Sequence, residues 1–276
     1  MTLPVSRRLL GVALALFLAA VVFVQLLPFY VSLTTAFKTR TDLSSQWLPP
    51  FSVYLGHFST AIERGGILRA VVNSAIVTVA STLLVCVLGA LAAYPLARRL
   101  SRLNAVVKIV ILGALMIPPL SILVPLYTLM NRIDGVNTYW GIVLVLVTGQ
   151  LPLAIFLYAS FIGTIPISLE EAGRIDGANV FQVFFHIVLP LLKPVTATAV
   201  IIVSVHVWNE YQLSLYMLAE PEMRTIAPAI GAFFTENTSN LGAASAAALI
   251  GAAPIVVAYV FLQRYFIRGV IMGAEK

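Results

Sequence analysis

Uncharged and mostly apolar stretches divide this chain into a few long intervals. Five of them lie between charged residues and contain 23 to 35 residues each: 9–37, 70–97, 109–131, 135–169 and 237–263. A helix needs about 20 predominantly apolar residues to cross the hydrocarbon core of a bilayer, so each interval predicts one crossing. A further crossing, interrupted only by Glu210, is predicted from about Pro194 to Met217.

These crossings are predicted to be helices, because the apolar runs are continuous and barrel strands would alternate over about 10 residues. The predicted spans lie near residues 9–31, 71–95, 106–130, 140–162, 194–217 and 243–264. The first span follows two basic residues, Arg7 and Arg8, as the apolar region of a signal peptide does. Its apolar run is longer than the roughly 7–15 residues of a signal peptide, so an uncleaved membrane anchor is predicted. The predicted fold class is an all-α polytopic membrane protein with one transmembrane domain, residues 1–276.

Composition excludes a typical soluble enzyme. Of the 276 residues, 60% are hydrophobic and only 10% are charged, whereas an ordinary soluble domain carries about a quarter charged residues. A soluble fold of this size cannot hide so much apolar surface, because roughly a quarter of the surface of the unfolded chain stays exposed after folding. The single cysteine, Cys86, is predicted to be a small buried side chain, and one cysteine excludes a disulfide within the chain.

The distribution of charges predicts the orientation of the spans. With both termini in the cytoplasm, the inner side holds 11 of the 17 Lys and Arg residues and four of the 11 acids, a net charge of +7. The outer side holds six cations and seven acids. This asymmetry agrees with the positive-inside rule. The net charge of +6 is therefore interpreted as a topology signal, and no nucleic-acid partner is predicted.

Sequence motifs for catalysis are absent from the chain. It contains no P-loop, no H-E-x-x-H and no G-x-S-x-G. The chain is therefore predicted not to be an enzyme by itself. No metal site and no cofactor are predicted in it.

The longest predicted cytoplasmic connection, residues 163–193, has the pattern of two short helices. Ser168 followed by Glu171 predicts a capping box, and Gly177 fits the left-handed position that ends a helix. A second segment follows whose apolar residues share one helical face: Val180, Val183, Phe184, Ile187 and Val188. Pro190 and Pro194 are predicted to end it. The two helices either dock a cytoplasmic partner or only lie along the membrane.

The same connection resembles the EAA signature of ABC-importer permease subunits. That signature reads E-A-A, three residues, G, nine residues and I-x-L-P, and here it runs from Glu171 through Gly177 to Pro190 with the same spacing. Gly173 departs from it, since the family usually has a second alanine there. Glycine weakens a helix by up to about 1 kcal/mol, or it permits closer contact with a partner.

Further segments resemble the carbohydrate branch of that family, and most of all the second permease subunit of maltose-type importers. They are Asn73-Ser74, Ala93 to Arg98, Pro118 to Tyr127, Asn137 to Gly141, Trp208-Asn209-Glu210 and Gly269 to Lys276. The resemblance implies the six-helix fold of type I ABC importer permeases with both termini cytoplasmic. It places the chain in the plasma membrane of a bacterium or archaeon.

The resemblance also implies partners. This chain and a second, different permease subunit would form the pathway for a sugar or oligosaccharide. Two ATPase subunits would bind ATP and Mg, and an extracytoplasmic binding protein would deliver the solute. The signature would be a coupling helix that contacts an ATPase subunit through Glu171, Ala172, Gly173, Asp176 and Gly177. Glu171 and Asp176 also have a purely local interpretation, as the cap partner of Ser168 and as a turn residue.

Solute contacts are predicted around Glu210, the one acid placed within a span. Intramembrane charges usually face a cavity or a partner, and aromatic rings with Asn and Glu side chains suit sugars. The candidates are His206, Trp208, Asn209, Glu210 and Tyr211. Alternatively, Glu210 pairs with an Arg or caps a loop near the outer rim. Pro118, Pro119 and Pro125 predict a break in the third span, which is either a gate or a packing kink.

Two other functions are weighed against the sugar permease. An ABC permease for glycerol phosphate or another polar solute would favour an Arg cluster in the pathway, and no Arg is predicted within a span. An ion-coupled secondary transporter would need intramembrane ionisable groups and often an inverted repeat. Only Glu210 and His206 qualify as such groups. The outer loops 32–69 and 218–242 are predicted to contact the binding protein.

Overall fold

The computed structural model describes residues 5–39, 41–42, 44–99, 101–235 and 240–274. Every regular element in these residues is helical, which confirms the all-α class. The helices are α1 (Val5–Phe37), α2 (Gly56–Glu63), α3 (Ile67–Arg98), α4 (Arg102–Ala114), α5 (Leu123–Arg132), α6 (Tyr139–Thr164), α7 (Ser168–Ile175), α8 (Val180–Leu191), α9 (Lys193–Trp208), α10 (Gln212–Met217), α11 (Ile226–Thr235) and α12 (Leu241–Ala274). The two chain ends, Met1 and Lys276, lie outside the described residues.

Four helical stretches are each long and apolar enough to cross a membrane: Leu10–Phe37 in α1, Ile67–Arg98, Tyr139–Thr164 and Leu241–Ala258 in α12. Two bent pairs meet the same criteria together. The first pair is Arg102–Ala114 with Pro119–Arg132, bent by 96°, and the second is Val180–Leu191 with Lys193–Trp208, bent by 71°. The described residues therefore contain four candidate spans, or up to six if each bent pair counts as one.

The predicted break in the third span is confirmed at Pro118 and Pro119. α4 ends at Ala114, Pro118 is extended, and a 3₁₀ turn over Pro119–Ile122 leads into α5. A residue before proline avoids helical backbone angles, which explains why the helix cannot continue through this pair. Pro125 does not break the chain, because it lies in the first turn of α5 where its missing N–H has no helical partner.

The fifth predicted span, 194–217, contains two helices. α9 ends at Trp208, and the chain resumes as α10 at Gln212. The intervening residues 209–211 are not regular helix. The hydropathy pattern does not show this break, because the single charge of Glu210 leaves the mean hydropathy of residues 194–217 high.

The chain divides into two compact units, and the first comprises residues 1–67 and 230–252. Within it α1 and α2 are joined by the rings of Phe37 and Phe58, whose centroids are 5.1 Å apart. The loop between them begins with a turn in which the amide of Ser44 donates to Oδ1 of Asp42 at 3.0 Å. Hydrogen bonds from Ser44, first from its side chain, lower the pKa of the Asp42 carboxyl below its usual value.

The second unit comprises residues 68–229 and 253–276 and contains an apolar core. Its fully buried side chains come mainly from α3, α6 and the α8–α9 region: Val77, Val85, Ile142, Tyr158, Ile162, Val183, Val188 and Leu192. α6 starts after Thr138, whose hydroxyl accepts the amide of Gly141 at 3.1 Å. This core supports the helices that carry the candidate site.

Candidate functional site

Helix α7 lies where the sequence predicts a short helix, but its cap residue differs from the predicted one. The N-cap position is occupied by Ile167, which makes no side-chain capping bond, and Ser168 is the first helical residue. The prediction of a Ser168–Glu171 capping box is therefore wrong. The capping box of this region lies at the start of α8. The side chain of Asn179 accepts the backbone amide of Gln182 at 3.0 Å, and the side chain of Gln182 accepts the backbone amide of Asn179 at 2.8 Å.

The end of α7 confirms the role predicted for Gly177. Gly177 has a φ of +88°, which side chains with a Cβ rarely adopt. Its amide donates to the carbonyl of Arg174, and the amide of Ala178 donates to the carbonyl of Gly173. These two bonds form the Schellman motif, which satisfies the last carbonyls of a helix and turns the chain sharply.

A buried carboxylate fastens α7 to the inner end of α3. Glu170 is only 1% exposed. Its Oε1 accepts Nε of Arg98 at 2.6 Å, and its Oε2 accepts the hydroxyl of Tyr94 at 2.8 Å. Arg98 also donates to the carbonyl of Ile165 at 2.9 Å. We name Tyr94, Arg98 and Glu170 the inner anchor, since together they satisfy a charge pair that would be costly to bury alone.

Helix α8 packs against α7 and the inner anchor. A Cβ at Gly173 would lie 2.5 Å from Cδ1 of Ile187, so the glycine lets the two helices approach closely. The rings of Tyr94 and Phe184 are 5.1 Å apart. The apolar face predicted for α8 is buried at Val183, Phe184 and Val188, half-buried at Ile187 and exposed at Val180. The departure from the signature at Gly173 thus serves packing within the chain.

Most of the residues predicted to contact an ATPase are exposed, on α7 or in the turn that follows it. Glu171, Ala172, Asp176 and Gly177 are exposed, and Gly173 is half-buried. Ile175, which the sequence reasoning missed, is 86% exposed at the tip of the same helix. The arrangement presents a short apolar and acidic surface on a helix whose opposite side is held by Glu170.

The inner anchor was also missed by the sequence reasoning, although a signal for it existed. Tyr94 and Arg98 stand four residues apart, which places them on one face of α3. Both residues also lie in the segment Ala93 to Arg98, which resembles the carbohydrate branch of the permease family. The sequence does not show which of the adjacent acids Glu170 and Glu171 pairs with Arg98, however, because the two differ only in burial. Burial depends on the tertiary fold.

A second set of bonds lies at the opposite end of α3. Asn73 is 2% exposed, and its Nδ2 donates to the carbonyls of Glu222 and Arg224, each at 2.9 Å. Its Oδ1 accepts the hydroxyl of Tyr139 at 2.7 Å. The hydroxyl of the neighbouring Ser74 accepts the amide of Ile226 at 2.8 Å. We name Asn73, Ser74 and Tyr139 the outer anchor, since they hold the segment 218–226 against α3 and α6.

The same segment is also bound by the residue that precedes the α6 cap. The amide of Asn137 donates to the carbonyl of Met217 at 2.7 Å. Its side chain bonds the carboxylate and the amide of Glu220, both at 3.2 Å. The segments Asn73-Ser74 and Asn137 to Gly141, which resembled the family, thus fix the start of the outer loop that follows α10.

The carboxylate of Glu210 caps α10. Its oxygens accept the amides of Leu213 at 2.7 Å and Ser214 at 2.8 Å and the hydroxyl of Ser214 at 2.6 Å. A carboxylate in this position satisfies the free amides at a helix start. This geometry favours the capping alternative for Glu210. The side chain of Asn209 is likewise occupied locally, since its Nδ2 donates to the carbonyl of Val205 at 2.8 Å.

The other predicted pathway residues differ in exposure. His206 and Tyr211 are exposed, whereas Trp208 is 8% exposed. Trp208 lines an apolar cavity of about 690 Å³ between faces of α3 and α9, together with Thr78, Thr82, Tyr158, Thr196 and Ser204 among others. The structure therefore does not bring the five predicted residues together into one cavity.

Replacing Gly177 by alanine is expected to destabilise the end of α7. The position has open space around a Cβ, so the effect is purely conformational. A left-handed residue with a Cβ costs about 1–2 kcal/mol, which corresponds to roughly 5- to 30-fold more frequent opening. Hydrogen exchange of the last α7 amides measures this. Gly177→Asn, which tolerates such angles better, should lose less protection. Equal losses in both variants would contradict the conformational explanation.

Comparison with known proteins extends these observations. Residues 85–272 match the family described as "Binding-protein-dependent transport system inner membrane component". The chain is 42% identical over 264 residues to the melibiose/raffinose/stachyose import permease protein MelC of Bacillus subtilis (strain 168), covering 95% of this chain and 96% of that protein. It is 32% identical over 266 residues to the trehalose transport system permease protein SugB of Mycobacterium tuberculosis (strain CDC 1551 / Oshkosh), covering 93% and 94%.

A solved structure shares the fold. It is a bacterial ABC transporter involved in the import of the acidic polysaccharide alginate, with a TM-score of 0.81 at 20% identity, covering 96% of this chain and 99% of that chain. At this identity the likeness concerns the fold alone. The family match covers well over half of the chain, and the relatives are matched almost end to end. The chain therefore belongs to the family of inner membrane components of binding-protein-dependent transport systems.

Proposed function

We propose that this chain is one permease subunit of an ATP-driven importer that receives a sugar or oligosaccharide from a solute-binding protein. The family match supports the binding-protein-dependent system. The relatives whose names specify melibiose, raffinose, stachyose and trehalose support the carbohydrate class. The chain is a multi-pass membrane protein. A second, different permease subunit would form the other half of the pathway, which would open alternately to the two sides of the membrane.

The single observation that carries the coupling role is the construction of α7. One side of the helix is fastened to α3 through the buried Glu170, and the other side presents Glu171, Ile175 and Asp176 outward. A force applied to such a helix moves α3 with it, because the buried ion pair and the Schellman turn leave little freedom. We assign the contact with an ATPase subunit to Glu171, Ala172, Gly173, Asp176 and Gly177, with Ile175 added.

Energy for transport would come from the partners. Two ATPase subunits would bind ATP and Mg, and their closure would push the two coupling helices. This chain would contribute no catalytic group and no cofactor. It would contribute the rigid connection from α7 to the membrane-spanning helices, in the plasma membrane of a bacterium or archaeon.

Solute contact stays a prediction for His206, Trp208, Asn209, Glu210 and Tyr211. The capping bonds of Glu210 support a structural role for its carboxylate. Trp208 lines a cavity whose other walls are mostly aliphatic, which suits an apolar occupant better than a hydrated sugar. The exposed side chains of His206 and Tyr211 have more freedom to meet a solute.

The coupling proposal is tested by Ile175→Asp in the full complex. Burial of an Ile side chain stabilises a contact by about 1.5–3 kcal/mol, so we expect the ATPase subunits to bind roughly 10- to 100-fold more weakly. Ile175→Val keeps the apolar contact and should retain the association. Hydrogen exchange of α7 should be unchanged in Ile175→Val, because Ile175 is 86% exposed. In Ile175→Asp it should rise only by the few-fold that corresponds to about 0.3–1 kcal/mol, because a carboxylate in the last turn opposes the helix dipole.

The wider proposal is tested by uptake in vesicles that contain the complete complex. We expect uptake of one or more α-galactosyl or glucosyl sugars that requires ATP, the ATPase subunits and the binding protein. Full association of the ATPase subunits with the Ile175→Asp variant would contradict the proposal that Ile175 belongs to their contact surface. Uptake driven by a proton gradient without any ATPase would overturn the importer class.

A further inference from the structure

The loop that follows α1 folds back along that helix. Tyr30 and Thr34 lie four residues apart on α1, and Lys38, the first residue after the helix, continues this spacing, so the three side chains lie on one side. They donate in this order to the carbonyls of Trp47 at 3.0 Å, Gln46 at 2.8 Å and Ser45 at 2.6 Å. The chain therefore descends beside α1 after its end, and Trp47 lies at the level of Tyr30.

That level can be placed relative to the membrane. The uncharged run of α1 begins after Arg8. About 20 residues are needed to cross the hydrocarbon core, and counting them from Leu10 reaches Phe29 and Tyr30. Tyr30 lies about 12 Å below Lys38 along the helix axis. The loop thus returns from above the membrane to the boundary between headgroups and hydrocarbon, where Trp and Tyr side chains are favoured.

The backbone of the returning segment is adapted to a place with little water. The carbonyls of residues 46 and 47 accept hydrogen bonds from α1 side chains, and those of residues 44 and 45 accept from Lys38, which follows α1. Non-helical backbone at membrane depth needs such internal partners. Lys38 is 6% exposed, and its ammonium also donates to the hydroxyl of Ser44 at 2.6 Å, so its charge is held by three oxygens.

Three large apolar side chains of this segment, at Trp47, Leu48 and Phe51, are exposed. Trp47 is 59% exposed, Leu48 is 51% exposed and Phe51 is 86% exposed. The sequence has no charged residue between Asp42 and Glu63. A surface of exposed rings over a satisfied backbone, continuous with a membrane span, matches the chemistry of a lipid interface.

We propose that residues 44–51 are a membrane-interface segment that lies in the outer headgroup layer, with Trp47, Leu48 and Phe51 in contact with lipid. It would fix the height of α1 in the bilayer. The binding protein would then be left to dock on other outer surfaces. This inference does not depend on the solute or on ATP.

The test uses tryptophan fluorescence of the full complex in phosphatidylcholine–phosphatidylglycerol vesicles. The difference between the native chain and Trp47→Phe isolates the signal of Trp47. We expect this signal to be lost in vesicles whose lipids carry bromine near the headgroup end of the acyl chain, and to resist the aqueous quencher acrylamide. Trp140→Phe supplies the reference signal of Trp140, the exposed ring at the start of α6.

A second variant, Phe51→Asp, places a charge on the most exposed ring of the segment and should reduce the quenching of Trp47 by brominated lipid. Quenching of Trp47 by acrylamide alone would overturn the proposal. Protection of Trp47 only after addition of the solute-binding protein would overturn it in favour of a protein-docking surface. Both results are obtained without transport, so they leave the proposed function untouched.

Discussion

Replacing Glu170 by alanine is expected to release α7 from α3 and to abolish ATP-driven uptake. The substitution leaves Arg98 without its carboxylate, while the side chain of Arg98 is only 11% exposed. Loss of one partner of a buried ion pair costs about 3–5 kcal/mol, which makes local opening roughly 100- to 4,000-fold more frequent. The second cation, Arg174, lies 3.8 Å from Glu170 at 52% side-chain exposure, and the loss of this largely solvent-exposed pair adds little to the cost.

Hydrogen exchange of residues 168–175 measures the release, and uptake in vesicles measures its consequence. Glu171→Ala is the matched control, because the neighbouring acid is in the same helical turn but is exposed. It should leave hydrogen exchange unchanged, whatever it does to ATPase association. Glu170→Gln should be intermediate, since its amide keeps one acceptor for Tyr94 or Arg98. Unchanged protection of α7 in Glu170→Ala would show that the inner anchor does not hold the helix.

Replacing Asn73 by leucine is expected to destabilise the outer loop and, through it, the second unit. Leucine has a similar shape but leaves the carbonyls of Glu222 and Arg224 and the hydroxyl of Tyr139 without their partner. Each buried polar group left unsatisfied costs about 1–3 kcal/mol. Because the two carbonyls are only partly buried, we expect a total loss of roughly 2–4 kcal/mol.

Thermal unfolding of the purified complex and hydrogen exchange of residues 218–226 measure this loss. Tyr139→Phe is the graded control, since it removes one donor to Asn73 and leaves the two bonds to the loop in place. It should cost about 1 kcal/mol. Equal destabilisation by the two variants would contradict the view that Asn73 holds the loop through both carbonyls.

Both of these variants act on α3. The helix carries the outer anchor at Asn73 and the inner anchor at Arg98, which are 25 residues and therefore about 37 Å apart. Sites at this distance with no shared partner contribute additively to stability. A loss of stability that is not additive in the double variant would then show that the two anchors are coupled through α3.

The sequence predicted the helical class and the short helix α7 correctly, for local reasons. Hydropathy over long windows identifies membrane helices because the bilayer imposes their length. Gly177 was assigned correctly because a left-handed residue at a helix end is a local requirement. The break at Pro118 and Pro119 was likewise local, since proline restricts its own backbone and that of the preceding residue.

The errors and omissions have a common origin in competition between neighbours. Ser168 carries a capping side chain, yet Ile167 occupies the cap position, because tertiary packing of α7 sets where the helix begins. The charge of Glu210 left a solute site and a cap as alternatives, and the bonds of its oxygens to the amides of Leu213 and Ser214 favour the cap. The end of α9 at Trp208 has no hydropathy signal.

By itself, the sequence determined that this protein is a helical membrane protein of a permease family, because span length and motif spacing are properties of the chain. The tertiary structure alone decided which acid holds α7 against α3 and which acid faces solvent. Glu170 and Glu171 are chemically identical neighbours, about 100° apart around α7. Only the position of Arg98 and Tyr94 on α3 buries one and leaves the other free for a partner.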